Sequence, residues 1–223
     1  AGNGMIQWVE IDRKAFFNNL DEFKKRLGRT EVMAVVKANA YGHGLLEIAR
    51  LSREAGLNWL GVNSLEEGLT LRRAGFNQKI LILGYVSLDQ AEAAVEADLR
   101  CVAYNLENLK ALARAARRLQ KRAIIHLKVE TGTNRQGIPV KQLGSIVREI
   151  KKLPEIEVEG VSSHFANIED TTDDYYPKRQ LANFIEAVHF LEENGQVIPV
   201  KHLACSAAAI LFPETFFYLA RIG

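Results

Sequence analysis

Cysteine is scarce in this chain: two residues among 223, Cys101 and Cys205, far apart and each inside an apolar strand-like run. That excludes a disulfide framework and fits a pair of reduced core thiols in a cytoplasmic protein. No apolar run approaches the roughly 18 residues needed to cross a bilayer, and the N-terminus lacks a signal-peptide pattern. Charge of one sign is also missing. With 29 Lys and Arg against 27 Asp and Glu the formal net charge is +2, which gives no electrostatic reason to expect nucleic acid or an anionic membrane as a partner. The first strand-like run is not followed by G-x-G-x-x-G, since "YGHG" is too short and too late to cradle a dinucleotide.

What is present is an ordinary globular composition, 48% hydrophobic and 25% charged, long enough to bury a sizeable core. The opening "AGNG" reads as a cloning scar over residues 1–4, with Met5 as native start. From Ile11, "IDRKAFFNNLDEFKKRL" has apolar residues at helical spacing and stops at Gly28. Eight short runs then alternate with amphipathic helical patterns: 31–37, 59–62, 79–84, 100–104, 123–130, 157–165, 200–206 and 216–223. Such alternation predicts parallel βαβ units, and eight of them favour a closed (β/α)8 TIM barrel over an open doubly wound sheet.

In a barrel the functional residues belong at the C-terminal ends of the strands. Polar residues at those positions are Lys37 with Tyr41, Tyr85, Lys128 with Arg135, His164, Ser206 and Arg221. Together they offer an amine nucleophile, phosphate donors and two guanidiniums, a set suited to an anionic, aldehyde-bearing cofactor. Two readings of Lys37 stand: an amine whose pKa is lowered for condensation with a carbonyl, or a lysine that snorkels out of a strand end. Ser206 is expected to N-cap a short helix. Arg221 is too costly to bury unpaired, and a neutral His164 would satisfy it. Gly223 permits close approach of a ligand or merely ends a strand.

The stretch "AVVKANAYGHG" resembles the cofactor-lysine motif of the alanine racemases, enzymes that use pyridoxal 5′-phosphate (PLP). The similarity continues through "WVEIDRKAFFNNL", "LKVETGTNRQG", "SSHFANIED", "HLACSAA" and "LARIG". It implies that Lys37 holds PLP covalently and serves as one of two racemisation bases. Tyr41, Ser206 and the backbone around Ile222 and Gly223 would hold the phosphate. Arg221 would face the pyridine nitrogen with His164 in support, and Arg135 would lie near the phenolic oxygen and the substrate carboxylate. Lys128 matches a lysine that many members carry as a carbamate. No metal is implied.

The resemblance further implies a cytoplasmic homodimer that interconverts L- and D-alanine for peptidoglycan synthesis, with a C-terminal β domain supplying a tyrosine base to the partner's site. On that reading residues 5–10 are an entry strand that pairs with the β domain, 11–223 are the PLP-binding barrel, and the chain is truncated after the eighth strand. Cys205 stands where the family usually has asparagine, and "ETGTNR" replaces "DTGMGR" or "DTGMHR", which bears on substrate preference. The alternatives are a broader amino-acid racemase, a basic amino-acid decarboxylase, a stand-alone PLP carrier, and a barrel whose Lys37 forms a Schiff base without PLP.

Overall fold

The computed structural model describes residues 7–169 and 172–223. The scar at 1–4 and the first two residues of the expected entry strand lie outside them. Residues 7–10 carry no regular secondary structure, and Trp8 is 69% exposed.

Helix α1 (Arg13–Leu27) starts where the Asp12 carboxylate accepts from the amides of Lys14 and Ala15, and stops at Gly28, whose φ of 62° ends the helix. Eight parallel strands follow: β1 (Glu31–Val35), β2 (Trp59–Val62), β3 (Lys79–Ile82), β4 (Arg100–Ala103), β5 (Ala123–Glu130), then, after a two-residue β6 (Ile138–Pro139) that pairs only with β5, β7 (Ile156–Ser162), β8 (Val200–His202) and β9 (Leu219–Ile222). Their order is β8-β7-β5-β4-β3-β2-β1-β9. Tyr218 N–H donates to Lys201 O at 3.1 Å and Arg221 N–H to Ala204 O at 3.0 Å, which joins the β8 and β9 edges. The sheet is thus a closed (β/α)8 barrel, as the alternation predicts.

Parallel strands in a barrel are covered on both sides, so β2 is buried at every residue rather than at alternate ones. Met33, Val35, Trp59, Leu81, Val102, Val200 and Leu219 fill the interior. A larger apolar layer lies between strands and helices, including Leu60, Ile80, Leu109, Leu112, Ile125 and Phe184. Each such side chain stabilises the fold by about 1.5–3 kcal/mol relative to exposure. The connecting helices are α3 (Leu45–Glu54), α4 (Leu65–Arg73), α5 (Ala91–Glu96), α6 (Leu106–Leu119), α7 (Leu143–Ile150), α8 (Tyr175–Glu193) and α9 (Ser206–Leu211). Ser64 and Asn105 cap α4 and α6 through side-chain oxygens.

The segment directly after β1 follows neither strand nor right-handed helix geometry. In the short turn α2 (Lys37–Tyr41), residues 38–41 all have φ between 51° and 56°. They form a left-handed turn, a conformation that costs roughly 1–2 kcal/mol per L-residue. Strain of this kind persists only where surrounding contacts impose it, and it clusters at functional sites.

Among the described residues no helix is long and apolar enough to cross a membrane.

Candidate active site

The C-terminal ends of the strands surround a cavity of about 780 Å³. Lys37, Tyr41, Lys128, Arg135, His164, Ser206, Arg221 and Gly223 all line it, so eight residues singled out in the sequence meet at one place. Ile222 does not; it packs into the apolar layer and pairs with Ala34 across β9 and β1. Tyr85 also stands apart, its ring 6.2 Å from that of Tyr104. Asn63 and Gly84, just beyond β2 and β3, line the cavity too, as do Thr133 and Glu169. The strand-end rule points to the first two; Thr133 and Glu169 lie in loops inside "LKVETGTNRQG" and "SSHFANIED", where no strand end singles them out.

Lys37 follows β1 by two residues, and the left-handed turn carries the chain from it to Tyr41 within one turn. Tyr41 is half exposed, and burial of the rest of its ring pushes the phenol pKa up. Opposite, Ser206 Oγ lies 3.1 Å from both the N and O of Gly223. A Cβ at Gly223 would stand 2.9 Å from Val35 Cβ and 3.1 Å from the Tyr41 ring, so glycine keeps this corner open. Ser206 is not the N-cap of α9; Cys205 occupies that position, without a side-chain cap. Cys205 accordingly lines the cavity, and only Cys101 is a fully buried core thiol.

Arg221 is buried, and its partners account for the cost. Nη1 donates to His202 Nδ1 at 2.8 Å and His202 O at 3.0 Å; Nη2 donates to Ser163 O at 2.8 Å and Leu203 O at 3.0 Å. His164 Nδ1 is a longer 3.5 Å away. The histidine that pairs with this guanidinium is therefore His202, and His164 is secondary. In the sequence His202 reads only as one residue of an apolar strand, whereas His164 stands at the end of the preceding strand, where the strand-end rule singles it out. The Arg221 Nε–H has no protein partner among the described residues. Burial lowers the Arg221 pKa to about 10, which leaves it charged at neutral pH.

Among the described residues the cavity is rich in positive charge: Lys37, Lys128, Arg135 and Arg221 line it against one carboxylate, that of Glu169. Burial, then the Arg221 and Arg135 cations, lower Lys128 to about 7. Burial with Arg221, Lys128 and Arg135 lowers His164 to about 3, so it is neutral. The His164 segment is fixed from below: Thr133 Oγ1 and Gln180 Nε2 donate to His164 O at 2.5 and 3.1 Å, and Ala166 N–H donates to Gln180 Oε1 at 2.9 Å. Excess cation, an unpartnered guanidinium N–H and a glycine-opened corner together fit an anionic ligand.

Residues 11–223 match the family model described as alanine racemase, N-terminal domain. An alanine racemase of Methanococcus maripaludis is 41% identical over 97% of this chain, and one of Symbiobacterium thermophilum 42% identical over 97%. Among solved structures, an alanine racemase of Clostridium difficile superposes over the whole chain with TM-score 0.95 at 30% identity, covering 62% of that structure. An alanine racemase of Bacillus anthracis with bound L-Ala-P superposes with TM-score 0.93 at 32% identity, covering 58%. The chain spans 58% and 57% of the two sequence relatives' lengths. Matched from its first helix to its last strand, the chain belongs to the family of the alanine racemase N-terminal domain.

Proposed function

We propose that this barrel is the cofactor-binding part of a PLP-dependent racemase that interconverts L- and D-alanine, the D-isomer serving peptidoglycan synthesis. The observation that carries the reading is the placement of Lys37 at the end of β1, opening into a cavity whose cations face one lining carboxylate among the described residues. When bound, PLP supplies a carbonyl for an amine and a conjugated ring that makes the substrate Cα–H acidic.

The rest of the chemistry falls to the chain's own residues. Lys37 holds the cofactor through its amine and takes or returns the α-proton on one face. Tyr41, Ser206 and the backbone at Ile222–Gly223 donate to the phosphate; the raised phenol pKa keeps Tyr41 protonated for that role. Arg221, whose Nε–H is free and which stays charged at neutral pH, would hold the ring nitrogen of the cofactor without giving it a proton. That restrains charge delocalisation into the ring and favours return of the proton at Cα over transfer elsewhere. Arg135 meets the phenolic oxygen and the substrate carboxylate. His164 stays neutral beside Arg221, avoiding a second charge there.

Racemisation needs a base on each face of the planar centre, because a single fixed base returns the proton to the face it left. In this reading the second base is a tyrosine from the C-terminal domain of a partner subunit in a cytoplasmic homodimer. The test is solvent exchange: PLP-loaded protein is incubated with L- or D-alanine in D2O, and deuterium at Cα is read by NMR. Exchange that depends on Lys37 supports the assignment, and no exchange from either enantiomer opposes it.

A further inference from the structure

Beneath the cavity a file of polar groups runs through the barrel interior to its opposite face. Arg221 Nη1 donates to His202 Nδ1, His202 Nε2 lies 2.7 Å from His126 Nδ1, and His126 Nε2 lies 3.0 Å from Glu159 Oε2. Glu159 is gripped in turn by Arg100, Nε to Oε2 at 2.7 Å and Nη2 to Oε1 at 3.2 Å, with Lys79 Nζ at 3.4 Å from Oε1. Lys79 and Arg100 are the first residues of β3 and β4, so the file ends at the N-terminal end of the sheet.

Assigning donors and acceptors leaves one arrangement. Arginine only donates, so His202 Nδ1 accepts and its proton sits on Nε2. That proton is donated to His126 Nδ1, which places the His126 proton on Nε2, facing a carboxylate that only accepts. Both rings are neutral: each is fully buried, and burial holds its pKa below the usual range. Burial alone would raise the Glu159 carboxyl, but bonds from His126 and Arg100 more than reverse this and hold it at about 2.

The backbone is shaped for this file. The β5–β7 register shifts so that Ile125 pairs with Val158 and His126 with Gly160, leaving Glu159 as the extra residue of a bulge. A Cβ at Gly160 would sit 2.6 Å from His126 Nδ1, the atom that accepts from His202. We propose that Glu159 is a positioning residue of the cavity: as the acceptor at the far end of the file it lets His126 and His202 keep their protons on Nε2, so that His202 Nδ1 stays free to hold Arg221 with its Nε–H left for a ligand. The claim rests on the racemase reading only for what Arg221 meets.

The test is ¹⁵N NMR of histidine-labelled chain without cofactor, so loss of the PLP reading would not touch it. In the parent, the His126 and His202 rings should both be neutral and protonated at Nε2. In Glu159→Leu the acceptor is gone while Arg221 still donates at the other end and Arg100 is freed to donate to His126 Nε2; with a donor at each end, the single Nε2–H pattern should give way to a mixture that includes Nδ1–H forms. Glu159→Gln keeps an amide oxygen and should retain the parent pattern. A parent His126 or His202 ring protonated at Nδ1 or charged at neutral pH would overturn the proposal, as would a folded Leu variant with the parent pattern. Should the Leu variant not fold, the parent spectrum and the Gln variant decide, a changed Gln pattern counting against it.

Discussion

Glu67 accepts the Ala38 amide at 2.6 Å through Oε1 and the Asn63 amide at 2.6 Å through Oε2. One carboxylate thus ties the residue after Lys37 to the end of the neighbouring strand. The left-handed turn is held at its start by this bridge and at its end by the Leu45 N–H, which donates to Asn39 Oδ1 at 2.8 Å. Glu67→Ala should lower stability by about 1 kcal/mol and speed release of PLP, read as a lower melting temperature and faster loss of cofactor on dialysis. Unchanged retention would show that the turn does not need the bridge.

Ala38 has φ of 52°, where an L side chain is strained and glycine is not. Ala38→Gly should therefore leave stability unchanged or raise it by up to about 1 kcal/mol, the opposite sign to the same change in a right-handed helix. Denaturant titration decides the sign.

Acid should destabilise the protein through its buried histidines. His126, His164 and His202 have folded-state pKa values lowered by burial. Below about pH 6.5 the unfolded chain binds protons that the folded one refuses, so stability falls as pH falls through that point. Glu159, held at about 2, adds to the loss below about pH 4.5. Lys128, lowered to about 7, makes stability rise with pH between about 7 and 10.5. Melts from acid to about pH 8.5 should show a rise, steepest on the acid side; above about pH 9 the buried Cys101 thiol, pushed up to about 12, opposes the Lys128 contribution.

Lys128 sits between Arg221 and Arg135 with a pKa near the working pH. Its neutral amine is placed to add to CO2, forming an N–C bond and releasing a proton, so that a neutral group becomes an anion beside two guanidiniums. After incubation with ¹³C-bicarbonate, a ¹³C carbamate resonance should appear and be absent from Lys128→Ala.

The barrel was legible because alternation of apolar runs and amphipathic stretches is a long-range pattern; the boundaries 59–62 and 123–130 coincide with β2 and β5. The cavity was legible because a closed barrel gathers strand ends, whatever the side chains. Other features have no such pattern. A two-residue β6 leaves no periodicity, and only Asn39 among residues 38–41 hints at positive φ. Glu159 reads as an exposed position of an alternating strand, because a bulge that turns it inward depends on pairing with β5. His202 was hidden for a related reason: its role follows from Arg221 on a strand brought alongside by barrel closure.

The central claim is that Lys37 is a cofactor lysine, and an absorbance spectrum tests it most directly. The chain is mixed with PLP, dialysed and scanned beside Lys37→Ala, with circular dichroism confirming that both are folded. A band near 420 nm that survives dialysis in the parent and is absent from the variant is the predicted result, with the wavelength good to roughly 10 nm. A folded parent that releases all its PLP, or a Lys37→Ala variant that keeps the band, would contradict the account.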